Sequence, residues 1–267
     1  MKKILLLSLA ALAITACERK TAADVYKGVQ ATRPATDKNG NPIEGLAVDS
    51  LQFETEVRSV LPTQHPQYRL TPVFKVNYRY GDRSVGESQK LSNYSYSYSD
   101  SYYARHNNGN NWNGNIVAGF ETIYGDEMVN VSLFDVEKQE QKLFFEKPVL
   151  IENVYYPSAT RDTLQNKNVN RNFYMISCYD EDTDKDGYYT RVDLRRFYLY
   201  QLDGTRVKAL IPKEYGVIGS DYDGVNDALY VYARLDSNKN GTIDPKEPKH
   251  IFLIDLKKPE TTALLYK

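Results

Sequence analysis

Two twelve-residue stretches concentrate oxygen at alternating positions. The later one is Asp236-Ser237-Asn238-Lys239-Asn240-Gly241-Thr242-Ile243-Asp244-Pro245-Lys246-Glu247. A hard divalent cation such as Ca²⁺ takes about six to eight oxygens, so short oxygen-bearing side chains must recur along a tightly wound loop. Asp236, Asn238 and Asn240 supply the first three. Gly241 permits the sharp turn because it tolerates positive φ. Thr242 offers its backbone carbonyl, Asp244 binds directly or through water, and Glu247 closes the site with two oxygens. The earlier stretch, Asp182-Thr183-Asp184-Lys185-Asp186-Gly187-Tyr188-Tyr189-Thr190-Arg191-Val192-Asp193, repeats the pattern. Asp182, Asp184 and Asp186 come first, Tyr188 gives a carbonyl, Thr190 holds the water-bridged position and Asp193 closes. Asp193 has a shorter arm than Glu247 and reaches less easily for two-oxygen chelation, but this loop carries the additional carboxylate.

This spacing resembles the calcium loop of EF-hand proteins, and the resemblance implies Ca²⁺ as the cofactor. The flanks differ from that family. Pro245 and Pro248 bracket Glu247, and His250-Ile251-Phe252-Leu253-Ile254 continues as a strand-forming run. The loops are therefore expected to join strands, with calcium structural: there are no paired helices to open as a switch. The alternative is a pair of polar turns rich in Asp, Asn and Gly.

The elements around these loops are predicted to be mostly β. In Val73–Tyr78, apolar Phe74, Val76 and Tyr78 alternate with Lys75 and Asn77, the pattern of a half-buried strand. Further strands are predicted at 116–124, 128–136, 174–179, 197–202, 229–235 and 251–256, and no long stretch carries a helical apolar period. A gapless shift of 54 residues places Asp182 on Asp236, Gly187 on Gly241, Leu199 on Leu253 and Leu210 on Leu264. A weaker copy runs from Leu133 to Phe144, with the acidic loop shrunk to a tight turn, Tyr124-Gly125-Asp126-Glu127. Repeats of consecutive strands at this length suggest blades. The units resemble the blades of secreted bacterial propeller lipoproteins over roughly 115–267, divided at about 115–172, 173–226 and 227–267. No copy is evident in 50–110. The fold class expected is propeller-like antiparallel β repeats, with a β-sandwich of meanders as the alternative.

The N-terminus reads as an address. Lys2 and Lys3 precede an apolar run from Ile4 to Ile14, too short to span a bilayer as a helix. The run ends Ile14-Thr15-Ala16-Cys17, which resembles the lipobox of bacterial lipoproteins, with Ile14 where that family usually has Leu. The resemblance implies cleavage of a signal peptide, residues 1–16, and lipidation of Cys17. The chain would then be anchored to a bacterial membrane in the cell envelope, periplasmic or surface-exposed, through more than one acyl chain. Residues 17–50 are polar, with Pro34 and Pro42, and read as the lipidated tether to a β-rich domain over 51–267. Cys178, left without a partner, is expected to be a buried thiol.

Asn93–Tyr103 alternates Tyr with Ser, so that Tyr94, Tyr96, Tyr98 and Tyr102 share one strand face, and the polar loop that follows holds Trp112. Rigid aromatics beside small polar residues could stack a glycan or a peptide; the structural alternative is a strand packing its Tyr face on a neighbour. Catalytic motifs are lacking. His65, His106 and His250 have no neighbours at metal-ligand spacing, and there is no nucleophile elbow or phosphate loop. Lys+Arg 34 against Asp+Glu 35, a net charge of −1, argues against a general nucleic-acid binder. The function expected is that of a calcium-binding envelope lipoprotein acting as a binding or scaffold module, with a protein or glycan partner. The alternatives are a surface glycan-binding lipoprotein and a hydrolase with an unrecognised carboxylate site.

Overall fold

In the computed structural model, residues 28–30, 34–36, 42–47, 54–79, 82–85, 88–91 and 117–266 are described. They form antiparallel sheets and contain no α-helix. The period-2 patterning of the sequence is thus realised as strands. Cys17, Tyr94, Tyr96, Tyr98, Tyr102 and Trp112 lie outside the described residues.

The largest sheet runs in the order Arg206–Ala209, Arg196–Gln201, Phe173–Tyr179, Leu150–Pro157, Phe120–Asp135, Tyr68–Arg79 and Thr55–Val57. A second sheet is a four-stranded meander of Tyr215–Asp223, Ala228–Leu235, Lys249–Asp255 and Thr262–Tyr266. The middle strands of the large sheet are buried on both faces, which is why they read as nearly continuous apolar runs. Alternate residues serve two cores. Val154, Tyr156, Tyr174, Ile176 and Tyr200 join Leu70 and Phe74 in one. Tyr155, Met175, Phe197 and Leu199 face the four-stranded sheet and pack with Leu229, Val231, Phe252 and Ile254 in the other. Each fully buried side chain of this size contributes about 1.5–3 kcal/mol.

Three features differ from the sequence-based expectations. Tyr124-Gly125-Asp126-Glu127 is not a tight turn: Phe120–Asp135 is one continuous strand of 16 residues. Glu127 takes a positive φ of 62°, and the register with both neighbours slips beside it, between Ile151 and Asn153 and between Val73 and Phe74. A bulge absorbs the irregularity that a turn would otherwise need. In residues 55–79, where no repeat was evident, Tyr68–Arg79 pairs with the far half of this long strand and Thr55–Val57 pairs with Tyr68–Arg79. Val29–Gln30, inside the segment read as a tether, forms a strand against Tyr188–Tyr189, and Val29 is only 1% exposed.

The 54-residue repeat maps onto equivalent strands. The second, third and fourth strands of the last meander follow Phe173–Tyr179, Arg196–Gln201 and Arg206–Ala209 at that spacing. The four-stranded sheet nevertheless begins one strand earlier than a unit boundary at 227 would put it, at Tyr215–Asp223. No sheet boundary falls at 173, since Phe173–Tyr179 pairs with Leu150–Pro157 and that strand with Phe120–Asp135 in one sheet. The described sheets do not close into a ring.

Candidate metal centre

Each acidic stretch joins two strands that pair with each other antiparallel. Asp182–Asp193 follows Phe173–Tyr179 and precedes Arg196–Gln201; Asp236–Glu247 follows Ala228–Leu235 and precedes Lys249–Asp255. Neither is flanked by helices.

The two loops share most of their hydrogen bonds. The Gly187 amide donates to Asp182 Oδ2 at 2.9 Å, and the Gly241 amide to Asp236 Oδ2 at 3.0 Å. The Tyr188 amide donates to Asp186 Oδ1 at 2.8 Å, and that of Thr242 to Asn240 Oδ1 at 2.9 Å. The closing carboxylate reaches back in both. Asp193 accepts from the amides of Thr183 and Thr190, at 2.7 and 2.8 Å. Glu247 accepts from those of Ser237 and Asp244, at 2.9 and 3.1 Å. The fourth and sixth residues take positive φ in each, Lys185 with Gly187 and Lys239 with Gly241. Glycine meets that demand without strain at the sixth position.

In the first loop, carboxylate oxygens of Asp182, Asp184 and Asp193 all lie within 4.8 Å of one another. Three hard oxygen donors at that spacing could hold a metal ion. Asp182 Oδ1 is buried without a hydrogen-bond partner, and the other oxygen of this carboxylate is occupied by Gly187. Burial, and then the carboxylates of Asp193, Asp186 and Asp182, raise the Asp184 carboxyl above its usual range, against the lowering effect of the Asp186 amide. Among the described residues none of the three is ion-paired to Lys or Arg. An uncompensated acidic cluster of this kind is what a cation would relieve. Asp186 stands exposed outside the triad, and Thr190 turns its hydroxyl to the Val192 amide. Tyr188 pairs with Gln30 along the N-terminal strand. In the second loop, Asn238 occupies the place of Asp184 and accepts from the Asn240 amide, while Asp244 caps the Lys246 amide. Thr242 Oγ1 donates to Asn240.

The loops also abut. Thr183 Oγ1 donates to the Gly241 carbonyl, and Asp193 bridges Thr242. A Cβ on Gly241 would lie 1.9 Å from the Thr183 carbonyl oxygen, so only glycine permits this approach. The sequence spacing suggested two loops of one kind; it held no sign that they touch. The docking of Val29 on the first loop was equally hidden, although Gly28, at φ +78° and with its Cβ position 2.2 Å from the Tyr189 carbonyl oxygen, is the residue that allows it.

Cys178 is free and buried, and burial pushes its thiol well up, away from the reactive thiolate. No helix among the described residues is long and apolar enough to cross a membrane.

No family model matches the chain, and no curated protein matches it. Among solved structures, the crystal structure of the tricorn protease is similar at 7% identity and a TM-score of 0.23, over 78% of this chain and 26% of that one. The chain spans about a quarter of that protein's length, and a likeness this slight carries no argument about fold or function.

Proposed function

We propose that the protein is a calcium-binding lipoprotein of the bacterial cell envelope, a binding or scaffold module whose β-sheets are braced by Ca²⁺ at two loops. The observation that carries this reading is the Asp182–Asp184–Asp193 carboxylate triad, set in a loop whose hydrogen bonds recur in the second loop. The donor set suits the ion: all oxygen, largely anionic, with one buried oxygen left without a partner. Asp182, Asp184, Asp186, the Tyr188 carbonyl, Thr190 and Asp193 would hold the first ion. Asp236, Asn238, Asn240, the Thr242 carbonyl, Asp244 and Glu247 would hold the second. Calcium there neutralises charges that repel in its absence, and so fixes the two long connections against each other. Sites on extracellular modules bind at about 10⁻⁴–10⁻³ M, weak enough to be filled only outside the cytoplasm.

The sheet order supports the propeller-like part of the reading. The strands Tyr215–Asp223 to Thr262–Tyr266 form a separate four-stranded meander, and it packs through one core against the strands Leu150–Pro157 to Arg206–Ala209 of the larger sheet. The anchor rests on the Cys17 lipobox alone.

Terbium, a luminescent stand-in for Ca²⁺, tests the metal reading, because Tyr188 and Tyr189 lie in the first loop and can sensitise it. Excitation of tyrosine should give saturable terbium emission, displaced by Ca²⁺ and lost in Asp182→Ala with Asp193→Ala. Emission absent, or unchanged by that double variant, contradicts it. For the anchor, radiolabelled palmitate should enter the wild type and not Cys17→Ala.

A further inference from the structure

A cleft of about 830 Å³ opens between the segment Lys142–Val149 and the hairpin turn that carries Gly204, Thr205 and Arg206, with Asp180 at its side. That volume falls within the range of about 300–1,000 Å³ typical of small-molecule sites. It borders the first acidic loop through Asp180 and the Tyr189 ring beneath Lys147, but none of the carboxylates of the Asp182–Asp184–Asp193 triad lines it.

The cleft has an apolar half. Phe144, Phe145 and Val149 are buried beneath it, and Leu143 stands 45% exposed at its rim. Phe144 and Phe145 are held edge-on against Tyr200, so this floor is rigid. The other half is cationic. The Arg206 guanidinium lies 4.1 Å over the Tyr198 ring, 5.2 Å from that of Phe145 and 5.6 Å from that of Tyr200. Its Nε donates to Tyr200 Oη at 3.0 Å, and Asp180 is 3.5 Å from Nη1. The same Asp180 also accepts the Tyr198 hydroxyl at 3.1 Å. No further partner among the described residues takes up the remaining guanidinium N–H groups. The side chain keeps 40% of its surface exposed while three rings fix its plane. Lys142 rests its ammonium on two neutral acceptors, the Asp203 carbonyl and Thr205 Oγ1, each at 3.3 Å. Lys147 sits 5.5 Å over the Tyr189 ring. Three cations therefore meet two carboxylates, Asp180 and Glu146, around one opening.

We propose that this cleft binds a small organic anion with an apolar body, its head on Arg206 and Lys142 and its body against Leu143 and Phe145. A planar guanidinium held rigid by stacking is suited to a carboxylate, which it meets with two parallel hydrogen bonds. The immobilisation of Arg206 is complete before a ligand arrives, so little side-chain freedom remains to be lost on binding.

The test uses benzoate as the probe on the isotopically labelled full chain, with inorganic phosphate and benzylamine as controls, and amide shifts of Gly204, Thr205 and Leu143 as the readout. Benzoate should shift these amides saturably and bind at least about tenfold tighter than either control. Because Arg206 packs on three rings and its replacement risks the fold, Lys142→Glu is the informative variant. It should weaken benzoate about tenfold or more and leave the melting temperature unchanged. Equal binding of phosphate, preference for benzylamine, absence of saturable shifts, or indifference to Lys142→Glu would each overturn the proposal.

Discussion

Asp184 is placed where a carboxylate is least comfortable without a cation. Burial and the adjoining carboxylates raise its pKa, so the metal-free folded state holds a proton there more tightly than the unfolded chain does. The contribution of this group to metal-free stability therefore falls as pH rises through its titration. Metal binding needs the ionised form, so affinity falls as pH drops, starting above the ordinary aspartate range near about pH 4. Asp184→Asn should act in opposite directions with and without metal. In EDTA it should match or exceed the wild type, by less than about 1 kcal/mol given the screening of a partly exposed group. In calcium the wild type should regain the lead. Melting curves for both proteins in both buffers check this, and a variant weaker than wild type in EDTA would contradict the account. Asp182 and Asp184 were legible from alternation and Asp193 from the closing position of the twelve-residue calcium-loop spacing, and the structure brings oxygens of all three within 4.8 Å of one another. The local bonds from the Tyr188 amide to Asp186 and from the Val192 amide to Thr190 were not legible, since spacing does not reveal such competition for side-chain oxygens.

At the scale of elements, the twelve-residue loops matter as a pair. Gly241→Ala would place a methyl group against the Thr183 carbonyl and force the loops apart. It should destabilise the protein by about 1–3 kcal/mol, the cost of overpacking a close contact, and weaken metal binding at both loops together. Chemical denaturation and a calcium titration check the two halves of that statement. Gly28→Val should release the N-terminal strand, because the added side chain would meet the Tyr189 carbonyl at a left-handed φ. Exposure of Val29 and loss of the bond from Lys75 Nζ to the Gly28 carbonyl follow, and limited proteolysis near residue 29 should accelerate at least about tenfold while the rest of the chain stays resistant. The strands were largely visible as period-2 runs. The exceptions are informative: the bulge at Glu127 looks like a turn because Gly-Asp-Glu is turn chemistry, yet pairing on both edges of the strand carries the chain straight through it. Val29–Gln30 was invisible because two residues are too few to show a period.

For the whole molecule, the packing of one sheet on the next rests on a few buried polar clamps as well as on apolar cores. Arg171, 3% exposed, reaches the Ala118 carbonyl at 2.7 Å, the Asp227 carboxylate at 2.6 Å and the Leu256 carbonyl at 3.3 Å. It thereby ties the long strand's entry to one end of the four-stranded sheet, where the Leu256 amide also donates to the Asp227 carbonyl. Arg171→Ala leaves the buried Asp227 carboxylate without its cation, with only the Tyr222 hydroxyl among the described residues still donating to its side chain, and should cost about 3–5 kcal/mol, read as a lowered denaturation midpoint. The correspondence of Ala228–Leu235, Lys249–Asp255 and Thr262–Tyr266 to Phe173–Tyr179, Arg196–Gln201 and Arg206–Ala209 was legible from the 54-residue repeat, since equivalent strands keep equivalent spacing. The position of the sheet boundaries was not, because a repeat fixes a period and leaves its starting strand undetermined. The central claim, that calcium braces these sheets through the two loops, is met most directly by melting the chain in calcium and in EDTA. With Ca²⁺ at about a hundredfold over its dissociation constant, each site stabilises by about 2.7 kcal/mol, which for a domain of this size raises the melting temperature by about 5–10 °C per site. The account predicts that rise in the wild type and its loss when Asp182, Asp193, Asp236 and Glu247 are replaced together by Ala; coincident wild-type curves in calcium and in EDTA would contradict it.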